Sequence, residues 1–127
     1  MKNNCDNNTY KAQAKDSRQR FLILHYTAQN FSTSIEYLTG PDVSAHYLVP
    51  TLKKIDPTYK ENKIIVYKLV DENERAWHAG VSNWQGRSNL NDTSIGIEIV
   101  NLSDDKKFIK YPDEQIKIVI KLCKDIL

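Results

Sequence analysis

With 127 residues, 40% of them hydrophobic and 27% charged, the chain has the size and balance of one globular domain with its own core, and is too short for two. Eighteen Lys and Arg against sixteen Asp and Glu leave a formal charge of +2, too little to argue for nucleic acid or an anionic membrane surface as partner. The longest apolar run, Ile95 to Val100, is interrupted by Gly96 and Glu98 and falls far short of the roughly 18 residues of a transmembrane segment.

Residues 1–19 are rich in Asn, Lys, Asp and Gln and poor in large apolar side chains; they read as a polar, disordered tail, leaving 20–127 as the folded domain. Phe21 to Tyr26 is a continuous apolar run, which predicts a strand covered on both faces, as at the centre of a sheet. Thr27 to Phe31 reads as a loop, and Ser32 or Thr33 as the cap of a short helix burying Ile35, Tyr37 and Leu38, ended by Gly40 and Pro41. Val43 to Val49 predicts a second strand stopped by Pro50, and residues 51–62 a polar connection. Lys63 to Val70 predicts a third strand, Asp71 to Glu74 a turn, Arg75 to His78 a short strand, and residues 79–93 a loop. Ser94 to Asn101 reads as the last strand. Pro112, Asp113 and Glu114 open a helix on which Ile116, Val119, Ile120, Cys123 and Ile126 recur at helical spacing. The fold class is α/β, a mixed sheet with flanking helices.

Cys5 and Cys123 are too far apart in sequence to suggest a disulfide framework, and no Cys-x-x-Cys zinc pattern occurs. No apolar stretch precedes Cys5, so the chain as written has no secretory signal; it is cytosolic, or its leader is absent or noncanonical.

The site-like residues stand at strand ends. His25 closes the first strand, where an imidazole on a rigid element can hold a metal, although a histidine there also suits a purely structural role. Glu98 shares a strand face with Gly96, since Ile97 and Ile99 point to the other. A carboxylate in so apolar a strand is costly unless partnered, and a glutamate beside a metal-bound water is the usual general base of hydrolysis, although a glutamate on an edge strand facing solvent fits the position equally. Gly96 is expected to leave room beside that carboxylate. His46 reads as a polar interior residue supporting the site and not a metal ligand. Trp77 and Trp84 offer the flat faces that sugar and peptide sites use, or serve as core or loop anchors, and the small Ala79 and Gly80 after His78 allow close approach of a ligand backbone or sugar ring.

Three blocks carry a family resemblance: Ile23-Leu24-His25-Tyr26-Thr27-Ala28, Val43-Ser44-Ala45-His46-Tyr47-Leu48-Val49-Pro50, and Arg75-Ala76-Trp77-His78-Ala79-Gly80-Val81-Ser82 continuing through Trp84, Gly86 and Leu90 to Glu98. In order and spacing, residues 20–127 resemble the zinc-dependent N-acetylmuramoyl-L-alanine amidases of the type-2 family, relatives of phage lysozyme-like amidases and peptidoglycan recognition proteins. The nearer branch is that of the bacterial envelope amidases, which implies an envelope location, with the cytoplasm as alternative. The resemblance implies cleavage of the amide between N-acetylmuramic acid and L-alanine by zinc-activated water, with His25 as a Zn2+ ligand and Glu98 as catalytic base. It also implies Trp77, His78, Asn89, Leu90 and Asn91 on the side of a peptidoglycan or muropeptide substrate. In the family a second histidine and an aspartate complete the zinc site after the long helix; this chain ends within that helix. The resemblance thus implies a zinc site incomplete here and a fold incomplete at its C-terminus, to be completed by a separate C-terminal segment. Otherwise the chain is a muropeptide-binding module without metal, or an inactive remnant.

Overall fold

The computed structural model describes residues 21–78, 83–84, 87–88, 91 and 93–127. The 1–19 tail and the boundary at 20 lie outside them. A four-stranded sheet forms the centre of the domain. It comprises β1 (Phe21–Tyr26), β2 (Tyr47–Val49), β3 (Tyr67–Lys68) and β6 (Ser94–Ile99), in the order β1-β6-β2-β3. β1 and β2 both run parallel to β6, and β3 is antiparallel to β2. This is the mixed sheet that the sequence predicts. Among the described residues two helices, α1 (Phe31–Leu38) and α2 (Asp113–Ile126), accompany it. Within the segment 79–93, expected to be a loop, β4 (Asn83–Trp84) and β5 (Arg87–Ser88) pair as a small antiparallel hairpin.

β6 organises both faces of the sheet. Its alternation of Ile95, Ile97 and Ile99 with Ser94, Gly96 and Glu98 sends the isoleucines to one side and the small or polar residues to the other. The isoleucines pack with Tyr47, Val49, Ile64 and Val119, flanked by Leu22, Ile118 and Leu122. Burial of each large aliphatic side chain here contributes about 1.5–3 kcal/mol. A second cluster of Leu38, Ala45, Leu48 and Val100 seats α1.

Two buried polar side chains tie the helices down. Gln115, fully buried, donates from Nε2 to the carbonyls of Pro50 (3.1 Å) and Val100 (3.0 Å) and, at 3.4 Å, to that of Val49. It thereby satisfies backbone acceptors where β2 and β6 end. Asp56, also buried, accepts from the Phe31 amide at 2.7 Å and anchors the start of α1. The helix cap itself is Asn30, whose Oδ1 accepts from the Thr33 amide at 2.8 Å. The expected cap at Ser32 or Thr33 is therefore two or three residues late, because Asn is as good an N-cap and stands one position before Phe31.

Other expectations also shift. β2 and β3 are shorter than 43–49 and 63–70, and Arg75 to His78 lies outside any strand. Tyr37 is 61% exposed instead of buried. Among the described residues β1 pairs only with β6 and stands at the end of the sheet order, not between two strands as expected. Its apolar run reflects the α2 side, where Leu24 and Tyr26 remain about half exposed together with Ile116 and Ile120. These four residues line an apolar groove of about 420 Å³. No helix among the described residues is long and apolar enough to cross a membrane.

Candidate active site on the His25 and Glu98 strand pair

The parallel register sets His25 of β1 directly beside Glu98 of β6. Lateral neighbours share a face, so both side chains rise from the side opposite the isoleucines, at a strand spacing of about 4.8 Å. The half-buried side chain of Glu98 makes no hydrogen bond or ion pair with the described residues. Desolvation alone raises its carboxyl from the ordinary 4.5 to about 7. Burial likewise lowers the pKa of His25, which favours the neutral imidazole.

All three histidines of the chain gather on this face. His78 lays its ring on Gly96: a Cβ added there would lie 2.3 Å from His78 Cγ. The space that Gly96 provides is thus filled by an imidazole instead of being left beside the carboxylate. His78 Nδ1 lies 3.1 Å from His25 Nε2, and His78 Nε2 lies 2.9 Å from Ser94 Oγ. The His78 amide donates to Asn91 Oδ1 at 3.0 Å. His46 stands on the other flank, its ring centroid 6.1 Å from that of His78. Its Nδ1 accepts from the Gly96 amide (3.0 Å), so Nε2 carries the proton and donates to the Glu74 carbonyl (2.7 Å). Both of its ring nitrogens are committed.

Trp77, half-exposed, is fastened through its backbone to Ser44: its amide donates to Ser44 Oγ at 2.9 Å and its carbonyl accepts from the Ser44 amide at 3.1 Å. Asn91 is buried and holds the His78 backbone. Asn89, Leu90 and the side chain of Trp84 lie outside the described residues. Sequence reasoning missed Ser94. The signal was available, since Ser94 shares the period-two face of Gly96 and Glu98, but nothing in the sequence places His78 above that face.

The expected zinc site is met only in part. A catalytic zinc takes three protein ligands and a water, and no group of three His, Cys, Asp or Glu side chains able to hold a metal occurs among the described residues. His25 fits as one ligand: Nε2 is engaged by His78, and no described residue bonds Nδ1. These residues alone do not make up a zinc site.

Comparison with known proteins supplies the context of this geometry. Residues 15–127 match the family model described as N-acetylmuramoyl-L-alanine amidase. The chain is 44% identical over 122 residues to N-acetylmuramoyl-L-alanine amidase AmiD of Escherichia coli, covering 92% of this chain and 43% of that protein. AmpDh3 of Pseudomonas aeruginosa, solved in complex with anhydromuramic pentapeptide, superposes with a TM-score of 0.80 at 50% identity, over 87% of this chain and 45% of that one. The complex of E. coli AmiD with the substrate anhydro-N-acetylmuramic acid-L-Ala-D-γ-Glu-L-Lys gives a TM-score of 0.76 at 44% identity, over 92% and 46%. The chain spans less than half the length of these relatives. With the match running through β1, β6 and α2, the chain belongs to the N-acetylmuramoyl-L-alanine amidase family.

Proposed function

We propose that this chain supplies the proton-handling half of a peptidoglycan amidase, which cleaves the amide between N-acetylmuramic acid and the L-alanine of the stem peptide. One observation carries the reading: His25 and Glu98 are cross-strand partners on the same face, and the carboxylate is half-buried with no described partner to consume its basicity. Glu98 takes the proton of the attacking water at a carboxylate oxygen and returns it to the leaving amine. Zinc, held in part by His25, would supply the activation of that water. The remaining ligands are assigned to a segment beyond position 127, in line with the second histidine and the aspartate that the resemblance places after the long helix. Trp77, Asn89 and Leu90 are assigned to the substrate side, His78 and Asn91, which the resemblance also places there, to holding the face beside His25, and His46 to support of the site. An envelope location follows from the branch resemblance.

Metal content tests the assignment. The chain would be extended after Leu127 with the part of E. coli AmiD that follows its matched region, loaded with zinc and dialysed. We expect one zinc per polypeptide, lost in His25→Ala and retained in Glu98→Gln. Full zinc retention by His25→Ala would remove His25 from the ligand set.

A further inference from the structure

We propose that His78 is a positioning residue for His25: it accepts the Nε2 proton of that imidazole and leaves the Nδ1 lone pair of His25 as the nitrogen available to a metal. Two ring nitrogens 3.1 Å apart cannot both be bare, since lone pairs would face each other, nor both protonated, since two N–H groups would collide. One proton lies between them, and a neutral imidazole has only one to give. Were it the proton of His78, His25 would keep its own on Nδ1 and present a donor beside a half-buried carboxylate on the next strand. Yet His25 and Glu98 form no hydrogen bond. With the proton on His25 Nε2 the polarity runs from His25 through His78 to Ser94 Oγ, an oxygen 2.9 Å from His78 Nε2 that has lone pairs to accept.

His78 is built to hold this position. Its ring rests on the one residue of β6 without a Cβ to displace it, and Asn91 Oδ1 fixes its amide. Metal-binding imidazoles generally give their second N–H to an outer partner that sets tautomer and ring angle, and His78 stands where such a partner belongs. The inference deepens the amidase reading, because it takes His25 as a ligand, but its test needs neither zinc nor turnover.

The metal-free chain, labelled with the heavy nitrogen isotope and held at about pH 8, above the ordinary imidazole range, would be examined by long-range proton–nitrogen correlation, which separates protonated from bare ring nitrogens. We expect His25 in a single tautomer, protonated on Nε2. His78→Asn, whose Oδ1 takes the place of the ring Nδ1, should keep it. His78→Ala and Gly96→Ala, which remove or displace the imidazole, should yield mixed tautomers. A wild-type His25 protonated on Nδ1, or a tautomer unchanged by His78→Ala, would overturn the proposal. The wild-type spectrum decides even where a variant does not fold. Loss of the amidase reading with this spectrum intact would leave the His78 contact standing, and the reverse result would leave the activity standing.

Discussion

Glu98, the proposed base, is the residue at which stability and that role would pull apart. The folded carboxyl keeps its proton to about pH 7, whereas the unfolded one releases it near 4.5. The folded state therefore binds more protons between these values, and stability falls as pH rises through that window. Above it the chain carries a half-buried carboxylate with no described partner. Glu98→Gln keeps the shape and removes the charge. In metal-free protein we expect it to exceed wild type in stability at pH 8 by on the order of 1–2 kcal/mol, a figure already reduced for solvent screening at a partly exposed group. The two should converge below about pH 4.5, where the wild-type carboxyl is also neutral. Urea unfolding of both proteins at the two pH values measures this; equal stability at pH 8 would show that Glu98 is solvated as freely as a surface carboxylate.

The elements show why some of the fold was readable in the sequence and some was not. The period-two alternation from Ser94 to Ile99 sorts β6 into a core face and a site face without any tertiary information, and Pro112 with two acids marks the start of α2. Local signals could not show that β1 has one strand neighbour among the described residues: Phe21 to Tyr26 has the same apolar character whether one neighbour or two flank it. Nor could they show the lengths of β2 and β3, which depend on pairing and not on β-propensity. Gln115 is a further case, a polar residue on a helix whose partners lie about 65 and 15 positions away. Its bonds to the strand-end carbonyls predict that Gln115→Leu, which keeps the volume and loses the donor, lowers stability by about 1–3 kcal/mol. A denaturant midpoint unchanged by that substitution would mean that those carbonyls find other donors.

At the scale of the molecule, the proposed site combines what the strands place with ligands assigned to a segment beyond these residues. His25 and Glu98 could be picked out from the sequence because they terminate or interrupt apolar strands. That they are lateral partners required the parallel register. The junction of His78, Gly96 and Ser94 was hidden, because it joins a segment outside any strand to the sheet face. The half-exposed Leu24, Tyr26, Ile116 and Ile120 around the apolar groove belong to a chain that covers 43% of AmiD. The central claim, that Glu98 is the base of an amidase whose remaining parts lie outside these residues, is tested most directly by amide cleavage. The substrate is anhydro-N-acetylmuramic acid-L-Ala-D-γ-Glu-L-Lys, and the protein is the chain extended with the C-terminal part of AmiD. We expect zinc-dependent release of the peptide, reduced by on the order of 10²–10⁴ in Glu98→Gln at unchanged zinc content. Cleavage by a zinc-loaded Glu98→Gln protein at the wild-type rate would contradict the account.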